Sequence, residues 1–284
     1  MNRPTYCLLR LDWRVLKPIT HVPHFQGALW SALFRHAYNS VLKPGEAYHQ
    51  VGLMLHPADF GVPSYGEGDR ISLGLAVPEH ELSRLALVLT QLEQVPGTHG
   101  QFQPGNTLHW EDGQCRISGA KWPQVPPLPM DETVLAEAAR HLTGLPGFQL
   151  VFHAPLRLTK PPGTKISGRY CDQDFFRTHP NALVHLLDQI PGCSEDPSLW
   201  LTTEAVHGQW QKVNYGRISK PTTLGGFVGV LPVTGGLGER DALALLHQSF
   251  LGIGKNRAFG LGWYAIPEAA SRLKINPLPK NRSL

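Results

Sequence analysis

The sequence has little charge, few cysteines and no long apolar run, and each shortage excludes a class of protein. Charged side chains make up only 17% of the 284 residues, whereas hydrophobic ones make up 42%. A disordered chain shows the opposite balance, so the composition predicts folded domains. The four cysteines are widely separated, with no CxxC pair and no cysteine and histidine at zinc-ligand spacing. This pattern argues against a structural zinc site and against a disulfide framework.

No stretch of the sequence approaches the ~18 consecutive apolar residues of a membrane-spanning helix. The first residues lead into a strand-like pattern and lack the apolar core of a signal peptide. We therefore expect a soluble, cytoplasmic protein that does not bind a membrane.

Positive charge is concentrated toward the C-terminal end of the sequence. The whole chain has a formal net charge of +4, and residues 205–284 alone hold ten basic side chains against three acidic ones. Such an end can hold a polyanion. Ordinary surface charge that keeps the protein soluble explains the count equally well.

The first part of the chain, residues 1–121, alternates between two hydrophobic periods. A period of two residues predicts strands, for example at 70–77, and a period of 3.6 residues predicts helices at 26–38 and 82–92. The elements follow one another in the order β-α-β-β-α-β, which is the ferredoxin-like arrangement.

A proline-rich linker separates this domain from the rest of the chain. Four prolines lie within residues 122–129, and proline interrupts both helices and sheets. With a predicted helix at 131–142, the linker covers residues 122–145. The same element order then recurs over residues 146–284, including a single helix at 175–190 and a last strand at 261–266. The predicted fold class is therefore α+β, with two ferredoxin-like domains in tandem.

The most informative segment is a glycine-rich loop that contains one lysine and one arginine. Its sequence is Gly252-Ile253-Gly254-Lys255-Asn256-Arg257-Ala258-Phe259-Gly260-Leu261-Gly262. Glycines let backbone N–H groups approach a phosphate closely, and the two cations add charge. The loop leaves a helix and enters a strand, which is the reverse of a dinucleotide-binding fingerprint, and it lacks the Ser or Thr of a P-loop. A helix cap followed by a bend is the alternative interpretation, although a cap needs only one glycine and this segment has four.

This loop resembles a known family when it is taken together with Tyr215-Gly216-Arg217 and Leu224-Gly225-Gly226-Phe227-Val228-Gly229 upstream. The pair resembles the glycine-rich loop and the "GGFxG" strand of the RAMP superfamily of CRISPR proteins, in particular its repeat-RNA processing endoribonucleases. The motifs cover residues 205–266. The N-terminal half is similar only in element order and in Gln26-Gly27 at the start of the first helix.

The resemblance implies a metal-independent endoribonuclease that binds precursor CRISPR RNA and cuts within each repeat. The ribose 2′-OH attacks the adjacent phosphorus, which gives a 2′,3′-cyclic phosphate and a 5′-OH, and the mature crRNA stays bound. The resemblance implies no cofactor and no metal, and the sequence has no clustered carboxylates. Other CRISPR effector subunits are further expected partners, and we expect a monomer or a weak dimer.

Histidine suits both proton transfers of this reaction because its reference pKa is ~6.5. The resemblance places the general base in or just after the first helix, where the sequence offers His21, His24, His36, Tyr38, Lys43 and His49. We rank His49 first and His36 second. His36 is the last residue of the periodic stripe of the first helix, so a packing or capping role is the alternative for it. Tyr38 either orients the attacking hydroxyl or packs. If no histidine acts, Arg35 or Lys43 stabilises the transition state.

The predicted RNA-binding residues form three groups, and each cation is expected to make binding depend on salt. They are Gly252, Gly254, Lys255, Asn256, Arg257 and Gly260 in the loop, Arg217 and Lys220 before the GGFxG strand, and Lys160 and Lys165 in a second basic segment. Trp210 and Tyr215 either stack on a base or belong to the core.

Two other functions remain open at this point. A non-catalytic RAMP subunit that binds or caps crRNA in an effector complex would need the same loop and fold. A soluble metabolite-binding protein with tandem ferredoxin-like domains would show no tight binding to RNA at physiological salt.

Overall fold

A computed structural model describes residues 5–15, 19–20, 26–57, 64–94, 108–110, 128–129, 131–160, 170–194, 198–217 and 220–273. The chain divides into two compact units, and the second begins at Asp131. This division falls within the predicted linker, of which residues 122–127 lie outside the described residues. None of the described helices is long and apolar enough to cross a membrane.

The N-terminal unit is an antiparallel sheet covered by two helices. Its elements are β1 (Tyr6–Val15), β2 (Ile19–Thr20), α1 (Gly27–Asn39), β3 (Met54–Pro57), β4 (Ser64–Tyr65), β5 (Arg70–Pro78), α2 (Leu82–Gln94), β6 (Leu108–Trp110) and β7 (Leu128–Pro129). The strand order of the sheet is β3-β5-β1-β6. This is the ferredoxin-like order, because the two helical crossovers leave the first and third main strands at the centre.

The core of this unit explains why α1 and α2 form where they do. Apolar residues on α1 recur at three- and four-residue steps, so one stripe of the helix faces the sheet. Trp30 and Phe34 from that stripe are buried with Leu85 and Leu89 of α2. On the sheet, Leu11 of β1 lies opposite Leu73 of β5, and both are fully buried. Full burial of each such side chain stabilises the fold by about 1.5–3 kcal/mol.

The C-terminal unit repeats this architecture. Its elements are α3 (Glu132–Thr143), β8 (Gly147–Leu156), α4 (Gln173–Thr178), α5 (Ala182–Leu187), β9 (Ser198–Leu201), β10 (His207–Arg217), β11 (Lys220–Gly236), α6 (Glu239–Leu251), β12 (Tyr264–Ala265) and α7 (Pro267–Leu273). The strand order is β10-β11-β8-β12, and β9 also pairs with β11. The tandem ferredoxin-like prediction is confirmed. The helix assigned to the linker, α3, packs on α6 and α7 and belongs to this unit.

Two predicted elements of this unit differ from the structure. The single helix predicted at 175–190 is wrong, because the chain forms α4 and α5 with a break between them. Pro180 causes the break, since a residue before proline avoids helical angles, and His179 is extended. The predicted last strand at 261–266 is reduced to two residues, because the turns of the glycine-rich loop continue to Gly262.

Candidate functional site

The glycine-rich loop connects α6 to β12, and it begins with a helix end that is closed from within. Gly252 has a φ of +73°, and its N–H donates to the Gln248 carbonyl at 2.8 Å. The side-chain amide of Gln248 donates in turn to the carbonyl of Gly252. These two bonds close the end of α6 between Gln248 and Gly252.

The base of the loop is fixed to β8 by backbone hydrogen bonds. The N–H of Lys255 donates to the Arg157 carbonyl at 2.8 Å, and the N–H of Gly262 donates to the Pro155 carbonyl at 3.1 Å. The two ends of the loop are joined by a bond of 2.8 Å from the N–H of Ile253 to the carbonyl of Gly262. The loop therefore has a closed, rigid base.

Glycine is required at two positions of this base. Gly254 has a φ of +80°, and a Cβ added there would lie 2.2 Å from the carbonyl oxygen of Arg157. Gly262 has a φ of +73°, and its Cβ would lie 1.9 Å from the carbonyl oxygen of Ile253. Backbone oxygens cannot move aside as a flexible side chain can, so a residue with a side chain would open the loop.

We expect Gly254→Ala to lower the free energy of unfolding by about 2 kcal/mol or more, because it adds both a clash and a strained φ. Thermal unfolding followed by calorimetry measures the effect. Gly236→Ala is the matched control, since a Cβ there meets no atom within 4 Å. Equal melting temperatures for the two variants would contradict the rigid base described above.

The tip of the loop presents backbone N–H groups and cations. Asn256 is left-handed, with a φ of 64°, and the 3₁₀ turn Arg257–Phe259 follows it. A left-handed residue before a helical one points successive N–H groups to one side, which forms a nest for an anion. These are the N–H groups of residues 256–258, and within the described part of the chain none has a hydrogen-bond partner. Lys255 is exposed beside them, and Arg257 is half-buried.

Arg157, which follows β8, is a further cation at the loop that the sequence analysis did not identify. Its guanidinium donates from Nη1 to Oδ1 of Asn256 at 2.8 Å, and its carbonyl accepts from Lys255. Only one arm of the guanidinium is engaged by Asn256, and a guanidinium has five N–H donors. No sequence signal marks Arg157, because it is 99 residues away from its partner.

The GGFxG strand has a packing role beside this loop. Gly225 lies under the ring of Trp210, and a Cβ there would come 2.3 Å from the indole nitrogen. Gly226 leaves room for the backbone of Leu156, and Phe227 is fully buried. The motif therefore holds β10, β11 and β8 close together. Trp210 is half-buried, so its ring packs on Gly225 without belonging to the core.

The other predicted RNA-binding residues are less fully described. Arg217 and Lys220 lie opposite each other at the end of the β10–β11 hairpin. Lys160 is exposed, and its ammonium lies 5.8 Å from the centre of the Tyr170 ring, a cation–π distance. Lys165 lies outside the described residues. The structure thus brings together the six loop residues and adds Arg157 to them.

The candidates on α1 divide into exposed and buried residues. Arg35 and His36 are exposed near the end of the helix. Tyr38 is 0% exposed, and its ring packs 5.6 Å from that of Tyr48. Burial raises the pKa of the Tyr38 hydroxyl, and the charge of Glu81 adds to the rise. These contacts favour a packing role for Tyr38 over one in orienting an attacking hydroxyl.

His49 lies on a short 3₁₀ turn, Tyr48–Gln50, that closes on itself. The N–H of Ala47 donates to Oε1 of Gln50 at 2.9 Å, and the N–H of Gln50 donates back to the Ala47 carbonyl at 2.8 Å. Tyr48 is buried against Tyr38, so it anchors the turn, while His49 is exposed. Lys43 is also exposed in the preceding turn, and His21 and His24 lie outside the described residues.

Solved structures share this architecture. A chain of a partial Cas6-RT-Cas1–Cas2 complex matches with a TM-score of 0.64 and 16% identity, over 93% of this chain and 46% of that chain. This chain therefore shares its fold with part of that chain. It spans less than half the length of that relative.

Two further solved structures are similar to the chain, with lower TM-scores. A RAMP protein that binds different RNA substrates has 12% identity and a TM-score of 0.49, over 92% of this chain and 99% of that chain. Thermus thermophilus Cas6 has 13% identity and a TM-score of 0.49, over 94% of this chain and 100% of that chain. No protein-family model and no curated protein sequence matches the chain.

The candidate residues of this chain belong to different units. Arg35, His36 and His49 lie in the N-terminal unit, and the glycine-rich loop lies in the C-terminal one. One more histidine, His153 on β8, stacks against Trp263 at the end of the loop, with ring centres 5.2 Å apart. Burial lowers the pKa of His153 to about 4, so it is neutral at pH 7 and adds no charge to the loop.

Proposed function

We propose that the chain is an endoribonuclease that binds precursor CRISPR RNA and cleaves it within its repeats. The observation that carries the proposal is the glycine-rich loop on a Cas6-type fold. Its base is rigid, and its tip presents Lys255, Arg257 and three backbone N–H groups together. Such groups bind phosphate oxygens whatever the base sequence, which suits recognition of an RNA backbone.

The proposed reaction uses the RNA's own 2′-hydroxyl as the nucleophile. The 2′-oxygen forms a bond to the adjacent phosphorus, and the bond from phosphorus to the 5′-oxygen breaks, which gives a 2′,3′-cyclic phosphate and a 5′-OH. His49 accepts the 2′-OH proton as general base, with His36 as the second candidate for that role, and the leaving 5′-oxygen takes up a proton from water. Arg35 stabilises the charge that develops on the phosphorane. No step of this proposed reaction uses a metal or a cofactor.

RNA binding is assigned to the C-terminal unit. Lys255, Arg257 and Arg157 contact phosphates at the loop. Further phosphate contacts are proposed for Arg217, Lys220, Lys160 and Lys165. The product stays bound as mature crRNA. Because the similar solved complex contains Cas1 and Cas2, we also propose other CRISPR proteins as partners.

The purified chain is expected to cut a synthetic CRISPR repeat RNA from its source genome at one position in the presence of EDTA. The product should carry a 2′,3′-cyclic phosphate, because the 2′-oxygen is the attacking group. A matched RNA with 2′-deoxyribose at the cut nucleotide should bind equally well and resist cleavage. Gel analysis of labelled RNA and mass spectrometry of the ends measure both results.

Other outcomes of this assay separate the remaining functions. Tight binding without cleavage would contradict the nuclease and favour a subunit that only holds crRNA. Absence of tight binding at physiological salt would contradict both and favour a metabolite-binding protein.

A further inference from the structure

A chain of polar contacts connects the His49 turn to α2. Glu46 lies three residues before His49, and its Oε1 accepts from Nη2 of Arg84 at 3.2 Å. Nη1 of the same arginine donates to Oε1 of Glu81 at 3.0 Å. The guanidinium of Arg84 therefore joins two carboxylates, one on the turn before His49 and one beside α2.

Glu46 is also part of the turn itself. Its Oε2 accepts from the N–H of Lys43 at 2.9 Å, and its own N–H donates to the Lys43 carbonyl at 3.0 Å. The pKa of Glu46 is lowered, chiefly by this bond to Lys43 and further by the charge of Arg84. One carboxylate thus closes the turn with one oxygen and binds Arg84 with the other.

The position of Glu46 is transmitted to His49 through a short, closed segment. Ala47 follows directly, and its N–H is held by Gln50, while Tyr48 is buried against Tyr38. Both residues between Glu46 and His49 are therefore held by contacts of their own. Tyr48 and Gln50 hold the turn that displays His49, and Glu46 and Arg84 hold the residue at which the chain enters that turn.

Stability alone is a poor explanation for these charges. The side chain of Glu81 is 8% exposed and that of Arg84 is 24% exposed. The free-energy cost of removing two charges from water offsets most of their attraction. Apolar residues of similar size commonly stabilise a fold equally well. A planar guanidinium offers something that apolar residues and lysine do not, because it can bind two carboxylates at once in a defined geometry.

We propose that Arg84 is a positioning residue, which is held by Glu81 and holds Glu46 so that the turn displays His49 in one orientation. This inference rests on the proposed function, since it gives the orientation of His49 a role in cleavage. Arg84 acts through Glu46 and is not proposed to contact RNA.

The test is a double-mutant cycle on the full chain with Arg84→Ala, Glu46→Ala and the double variant. Single-turnover cleavage of the repeat RNA should slow about 10- to 100-fold in each single variant, because small displacements of a catalytic group have effects of this size. The double variant should be no slower than the slower single one, since both changes break one connection. The dissociation constant for RNA should stay within about twofold of wild type.

Controls separate positioning from a loss of fold. Arg84→Ala leaves the buried Glu81 without this partner, so Glu46→Ala, which keeps the pair of Arg84 and Glu81, is the second variant. Arg84→Lys keeps the positive charge but not the planar guanidinium that binds two carboxylates at once. This variant should therefore recover only part of the cleavage rate that Arg84→Ala loses. Arg140→Ala removes an exposed arginine of α3 whose side chain, among the described residues, bonds only within its own helix, and it should cleave like wild type.

A readout without RNA makes the inference independent of cleavage. Backbone amides of residues 43–50 should exchange with deuterium faster in Arg84→Ala than in wild type or Arg140→Ala. Unchanged exchange would overturn the inference even if the enzyme cleaves, and so would additive effects on the cleavage rate. If wild type fails to cleave while exchange responds as expected, the proposed function fails and the bridge from Arg84 to the turn is retained.

Discussion

Replacing His49 by alanine is expected to slow cleavage of repeat RNA about 100-fold or more while binding stays unchanged. The imidazole is exposed on a turn that Tyr48 anchors and Gln50 closes, so its removal deletes a proton acceptor without exposing core. Single-turnover rates at saturating protein measure the loss, and a filter-binding titration measures the affinity.

The control for this variant is His141→Ala, which removes a histidine from α3 in the other unit and should leave the rate unchanged. Normal cleavage by the His49 variant would remove His49 from the mechanism. His36→Ala and Arg35→Ala would then be the variants to measure, because both side chains are exposed near the end of α1.

The double variant Lys255→Ala/Arg257→Ala is expected to weaken RNA binding about 100-fold or more, since each of the two charge-assisted contacts contributes about 1.5–3 kcal/mol. The slope of log affinity against log salt should fall by about 0.7 for each lost contact with single-stranded RNA. Titrations at several salt concentrations measure both quantities. The loop should keep its conformation, because backbone bonds hold its base.

A second pair of cations shows whether the effect is local to the loop. Arg140→Ala/Arg272→Ala removes the same charge from exposed positions on α3 and α7 in the same unit. Equal losses of affinity in the two double variants would mean that only the overall charge matters, and the loop would lose its assigned role.

The fold was largely predictable because it depends on local patterns. Periods of two and 3.6 residues located the main strands and helices, and the order β-α-β-β-α-β permits few sheet topologies, since crossovers are short and right-handed. The helix at 175–190 was predicted wrongly for a local reason. The apolar stripe continues through Pro180, but proline prevents His179 from adopting helical angles.

The candidate site was predictable only in part. The glycines of the loop are visible in the sequence because their backbone angles exclude other residues, and Gly254 and Gly262 have the positive φ values that require glycine. The burial of Tyr38 was not visible. Tyrosine has an apolar ring and a polar hydroxyl, so the sequence left open whether Tyr38 packs or orients the attacking hydroxyl, and only the packing against Tyr48 favours the core.

The sequence by itself determined the two ferredoxin-like domains, the glycine-rich loop and the short list of candidate histidines, because each depends on residues close together in the chain. Only the tertiary structure decided that Arg157 supports the loop through Asn256 and that Arg84 joins Glu46 to Glu81. Arg157 and Asn256 are 99 positions apart, and Arg84 and Glu46 are 38. A hydrogen bond needs two atoms within about 3 Å of each other, and no local pattern records which distant residues the folded chain brings that close.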